Sequence, residues 1–300
     1  MRTYFSAFHW PALRLPVALS CALRGSDAVA ERLLGGFAMV LLLVAVVSPA
    51  LLQGPQHHHF ADQRFLWGLP YAMDVLSNLP FVIAGAWGWL ALRALAPWAR
   101  TVGSAPSRQM AAVFFAGLVV TALSSAAYHL RPDDLGLLWD RLGMALVFAG
   151  LLALAVAERI SVRAGRVALA VLLVAGPLAV AVWFATGNVL PWVLVQFGGM
   201  AVVLCLAWRP ADAGTLAVRW GTVIAVYAVA KLLEAGDHLV FDATAGWVSG
   251  HSLKHGVAAC AAWPVVAALQ QHVRRLVPGA SGAEHNRAQT PACPPAGPVL

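Results

Sequence analysis

Eight runs of about twenty mostly apolar residues leave this chain very few ways to fold. They lie at roughly 33–52, 74–96, 109–130, 139–157, 165–184, 189–208, 217–236 and 251–270. A run of that length crosses the hydrocarbon core of a bilayer as one α-helix. In lipid the backbone has no water to bond to, so only helices or a closed barrel can span it. A barrel is built from segments of about ten residues with alternating polarity, whereas these runs are continuous. Of the 300 residues, 60% are hydrophobic and 11% charged, where soluble domains carry about a quarter charged. The expectation is an all-α, multi-pass membrane protein.

Arginine sets the orientation. All but Lys231 and Lys254 of the 20 basic residues are arginines. Arg2, Arg14, Arg24 and Arg32 precede the first run, and alternate connections carry Arg93, Arg100 and Arg108, then Arg159, Arg163 and Arg166, then Arg209 and Arg219. Arg274, Arg275 and Arg287 follow the last run, while the intervening connections hold only Arg64 and Arg131. The excess of positive charge on the cytoplasmic side places both termini in the cytoplasm, in a bacterial inner membrane. The same excess explains the pI near 9.8, and no polar basic patch with aromatics points to nucleic acid. The first 32 residues lack an uninterrupted apolar core, so the first run reads as a signal anchor and not a cleaved leader. Residues from about Val277 are rich in Pro, Ala and Gly and read as a disordered tail. The four cysteines are scattered, which excludes a disulfide framework or a thiolate zinc site.

Against so few charges, one set of polar residues stands out. His251 and His255 are four apart at the start of the last run, so a helix puts both imidazoles on one face. His129 closes the third run, Ser125 lies one turn before it, and Asp140 opens the fourth. With the arginine-derived orientation, all five residues fall at a similar depth on the outer side. Three neutral imidazoles plus a water are the coordination of catalytic zinc, and ionisable groups inside a bilayer default to function. The set reads as a Zn2+ site with His129, His251 and His255 as ligands. Zinc lowers the pKa of its bound water to about 7; Asp140 is then the general base and Ser125 the oxyanion or water donor. Taken singly, each has a plainer account. Asp140 can cap the fourth helix, Ser125 can return its hydroxyl to a carbonyl one turn back, and His129 can be an interfacial histidine.

Other polar residues sit close by in the sequence. Asp74, Ser77 and Asn78 open the second run, and Lys231, Glu234, Asp237 and His238 crowd the outer end of the seventh. They can hydrogen-bond across helices or support a ligand imidazole from behind, although Lys231 and Glu234 can also simply neutralise each other. His57, His58 and His59, beside Asp62, read as a solvated loop in preference to an accessory metal site. Trp67, Trp139 and Trp247 fall at interfaces, as aromatic belts do.

The stretches Asp74-Val-Leu-Ser-Asn78, Ser125 with His129, Trp139-Asp140-Arg141 and Gly250-His251-Ser-Leu-Lys-His255 resemble the alkaline ceramidase branch of a seven-span hydrolase superfamily. That superfamily also contains the progestin and adipoQ receptors. The resemblance covers about residues 60–270, and the short gap from His129 to Asp140 is similar to the ceramidase branch and not to the receptor branch. It implies a seven-transmembrane helical bundle at 60–270, with 33–52 as one additional N-terminal transmembrane helix behind a cytoplasmic segment, 1–32. It also implies hydrolysis of the amide bond of a ceramide-like membrane lipid to a fatty acid and a long-chain amine. The acidic calcium-binding segment of the eukaryotic ceramidases has no counterpart beyond Asp62, so calcium regulation is not implied. Two other classes stay open. One is a zinc-containing receptor or sensor without turnover; the other is a haem-binding electron carrier with His129 and a histidine of the last span as axial ligands.

Overall fold

The computed structural model describes residues 27–95, 105–211 and 215–276. The predicted cytoplasmic segment up to residue 26 and the tail from 277 lie outside the described residues. Among the described residues the chain is all helical, with only two isolated β-bridges. In chain order the helices are α1 (Asp27–Val47), α2 (Ala72–Leu76), α3 (Leu79–Leu95), α4 (Ala105–Leu130), α5 (Asp134–Arg159), α6 (Val162–Thr186), α7 (Leu190–Ala207), α8 (Trp220–Ala235), α9 (Asp237–Ala243), α10 (Gly250–Cys260) and α11 (Trp263–Leu276).

Seven of the eight predicted runs are helices, or helix pairs, long and apolar enough to cross a membrane. The protein is an all-α, multi-pass membrane bundle. The run at 217–236 differs: α8 has 16 residues, about 24 Å at 1.5 Å per residue, short of the roughly 30 Å hydrocarbon core. Its start is delayed because Ala217 takes a left-handed φ of 57°, and at Gly236 the chain turns into α9.

Two spans are broken, and proline accounts for both breaks. Pro80 cannot donate to Leu76, so the second span divides into α2 and α3 at Ser77 and Asn78. Pro264 does the same to the last span, where Ala261 and Ala262 bond back only three residues, to Ala258 and Ala259.

α5 is the central helix, packed against α4, α6 and α7. Close approach to α4 depends on small residues: a Cβ on Gly150 would lie 2.3 Å from the Phe114 backbone nitrogen. The α4–α5 pair brings the end of one helix beside the start of the next through a tight turn at 131–133. α1 stands at the edge, buries only Ala30 and touches α7; its exposed Leu33, Leu42, Val46 and Val47 form a lipid-facing surface. After α1 the chain crosses the end of the bundle. It is tied there by Leu51 N–H to Asn188 Oδ1 (3.0 Å) and Val189 N–H to the Leu51 carbonyl (2.8 Å).

Candidate metal centre

His129 comes from the last turn of α4, and His251 and His255 from the first two turns of α10. α10 starts where it does for three reasons. Ser249 caps it by accepting from Ser252 N–H. The Asp237 carboxylate accepts from His251 N–H at 2.7 Å. Gly250 lies so close to α8 and α9 that a Cβ there would sit 2.3 Å from the Leu233 carbonyl oxygen.

The three imidazoles are 1–8% exposed, and one ring nitrogen of each lies within 4.8 Å of the others. Nε2 of His129 and Nε2 of His251 are 3.2 Å apart. Zinc–nitrogen bonds of 2.0–2.1 Å at a tetrahedral angle put two ligand nitrogens about 3.3 Å apart, so this spacing suits zinc with almost no movement. Phe60 closes the centre, its ring centroid 4.6 Å from those of both His129 and His251.

The break in the second span holds the third histidine. Asn78 N–H bonds the Val75 carbonyl instead of that of Asp74, which frees the Asp74 carbonyl for side chains. It accepts from Ser77 Oγ and Asn78 Nδ2, both at 2.9 Å, and from the His255 ring. Ser77 Oγ, its own hydrogen committed to Asp74, accepts from His255 Nδ1 at 2.8 Å. Nδ1 therefore carries the proton and Nε2 keeps its lone pair for a metal. The fit is incomplete at two atoms: His129 Nδ1 is buried without a partner, and the Lys254 ammonium lies 3.1 Å from His251 Nε2, whose lone pair a metal would take.

Asp140 lies in the second turn of α5, with its side chain buried and hydrogen-bonded to Ser125 on α4. It is not the cap: Asp133 caps α5, accepting from Gly136 N–H at 2.7 Å. Nor does Ser125 bond back along its own helix; the neighbouring Ser124 does, to the Val120 carbonyl at 2.9 Å. Ser125, Asp140, His255 and Lys254 line one cavity of about 60 Å³. Phe81, Thr121, Met144, Tyr227 and Ala258 also line a second, apolar cavity of about 100 Å³ extending between the helices.

The supporting residues take definite parts. Asp74 is fully buried and accepts from Ser252 Oγ (2.6 Å) and Ser249 Oγ (3.3 Å), binding α2 to the start of α10. Asp237 holds the His251 backbone and, through its other oxygen, Ala61 N–H at 2.9 Å. Glu234 pairs with Lys231 and also with Lys254, at 3.2 Å. Lys254, whose ammonium is 3.1 Å from His251 Nε2, is the site residue that sequence reading missed. It stands inside the His251–His255 motif on its cavity side, and only its charge in an apolar run could have marked it.

The histidine loop departs from expectation. Asp62 is buried and pairs with Arg64 at 2.6 Å, holding the guanidinium above its ordinary pKa through that hydrogen bond. His57 and His58 instead meet Asp134, the first residue of α5, and His59 stacks on His238. The His129–His251 pair does not fit a haem. Axial ligands stand on opposite faces of a macrocycle, whereas here the Nε2 atoms face each other at 3.2 Å with Phe60 against both rings.

No protein-family model matches the chain, and no curated protein or solved structure matches it.

Proposed function

We propose that the protein is a membrane-embedded, zinc-dependent amidohydrolase that cleaves a ceramide-like lipid to a fatty acid and a long-chain amine. One observation carries this reading: His255 of the three-histidine cluster lines one cavity with the Ser125–Asp140 pair, and that cavity adjoins an apolar one. A metal site used only for structure is closed by protein ligands, whereas a catalytic one has three ligands and an open position.

His129, His251 and His255 would hold the ion, which supplies Lewis acidity and water acidified to near neutrality. Asp140 accepts the proton of the attacking water as its oxygen bonds to the amide carbonyl carbon. It returns that proton to the nitrogen as the carbon–nitrogen bond breaks, so the products leave as acid and amine. Ser125 donates to the carboxylate in the resting site and orients it. During attack it is in reach to donate to the water or to the carbonyl oxygen as negative charge develops. Lys254, held by Glu234, adds positive charge at the same cavity. The apolar cavity between Phe114, Leu118, Met144 and Val203 is where the acyl chain would enter the bundle.

The test is mass spectrometry of lipids before and after incubation with purified, zinc-loaded protein, using ceramide in mixed micelles. Release of equimolar fatty acid and sphingoid base is expected. Full zinc content without release from any lipid amide would favour the receptor reading. The arginine distribution supports both termini in the cytoplasm and the site toward the outer leaflet. A reporter fused near Gly187 should report the outer side; a cytoplasmic signal there would reverse that orientation.

A further inference from the structure

A second cluster of metal-binding side chains lies at the same end of the bundle, outside the buried centre. His57 Nε2 is 2.9 Å and His58 Nε2 3.0 Å from the same oxygen, Oδ1, of Asp134. The outward nitrogen of each ring is already engaged. His57 Nδ1 lies 2.7 Å from the Gly54 carbonyl oxygen and His58 Nδ1 2.8 Å from the Tyr128 hydroxyl. A carbonyl can only accept, so His57 Nδ1 carries a hydrogen. The Nε2 of a neutral His57 is then a lone pair aimed at a carboxylate oxygen, another acceptor. Two acceptors at 2.9 Å repel unless a cation lies between them. That cation is either a second proton on His57 or a metal ion.

Two observations favour the metal. Two imidazoles and a carboxylate form a ligand set that zinc uses in open sites and that suits first-row divalent ions generally. Ring nitrogens anchored on their far side, to a carbonyl and a hydroxyl, are how proteins orient metal-bound histidines. The side chains are 20%, 26% and 62% exposed, so water can complete the coordination.

We propose that His57, His58 and Asp134 bind a second zinc ion at the surface, independent of the buried centre and of the reaction assigned to it. The ion would fasten the segment after α1 to the first turn of α5. Two residues further on, Phe60 rests on His129 and His251, so the surface ion would stiffen the cover of the buried site.

The experiment uses the full chain in detergent, free of any histidine tag and stripped of metal, titrated with Zn2+ alone. Bound metal is measured by mass spectrometry after gel filtration, and amide hydrogen exchange is followed across 54–62. The expected result is two equivalents, the second accompanied by slower exchange at 57–60. His57→Gln and Asp134→Asn should each weaken the second equivalent at least tenfold while keeping the first. His59→Gln, which leaves the cluster intact, should keep both. A single equivalent that both variants retain, or a second equivalent that both retain, overturns the proposal; the cluster is then an imidazolium–carboxylate pair. A single equivalent lost in both variants would support the surface site and remove the buried one. Should either variant fail to fold, the wild-type stoichiometry and the exchange at 57–60 decide alone.

Discussion

The two ends of α5 each bury a carboxylate, and they do opposite things with it. Glu158, near the C-terminal end, accepts from Trp220 Nε1 at 2.8 Å and from Val218 N–H at 3.2 Å. Val218 lies just before α8 and Trp220 is its first residue, so this carboxylate fastens the start of α8 to the bundle. Asp140 lies 18 residues earlier, about 27 Å along the helix. It has one side-chain donor, Ser125, and lines a cavity shared with a histidine ligand and a lysine. Burial of an acid inside a membrane protein therefore does not by itself signal chemistry. What separates the two is their surroundings: one Glu158 oxygen holds both donors while the other is buried against protein, whereas Asp140 faces space that a substrate can fill.

The largest effect should come from the three-histidine centre near Asp140. Replacing His129, His251 or His255 with Ala should remove most bound zinc, measured per chain, and bring lipid amide turnover to background. Full zinc retention in all three variants would sink the buried site as described. Asp140→Asn comes next: it keeps the shape and loses the base, so zinc should stay while turnover falls roughly 10²–10⁴-fold. Intact turnover on a verified substrate would make Asp140 as structural as Glu158.

Ser125→Ala should cost roughly 10²–10³-fold, the usual loss for one donor to a developing oxyanion. Ser124→Ala is its control, since Ser124 bonds its own helix carbonyl. Equal damage from the two would mean that packing of α4, and not the hydrogen bond to Asp140, is what the assay detects. Ser77→Ala removes one of the two acceptors facing His255 Nδ1 and should weaken zinc affinity by roughly tenfold, within the range for such supporting contacts. The smallest functional effect belongs to the other end. Glu158→Gln should lower stability by about 1–3 kcal/mol and leave zinc content and turnover unchanged. A loss of zinc there would break the division between the two ends.

Much of the site was legible in the sequence because it depends on local periodicity. His251 and His255 share a helix face by spacing alone, and Ser125 sits one turn before His129 for the same reason. Arginine placement then brought three helix ends to one depth, and the structure joins those residues in one cluster. Reading failed where the local backbone departed from a regular helix or where a partner came from far away. Asp140 looked able to cap α5 because the helix was expected to begin at 139; it begins at Asp134, and Asp133 is the cap. Lys254 carried no signal of role, since its meaning comes from Glu234, 20 residues earlier, and from the His251 ring.

By itself, the sequence determined that this is a multi-pass helical membrane protein, because apolar length and helical phase are properties of contiguous residues. It also determined which three histidines converge. Tertiary structure alone decided which atoms they present. The Pro80 break frees the Asp74 carbonyl, and that carbonyl with Ser77 settles the tautomer of His255 from 178 residues away. His57 and His58 likewise find Asp134 across 77 and 76 residues. Hydrogen bonds are directional and short, so their partners are chosen by packing in three dimensions, which no pattern along the chain encodes.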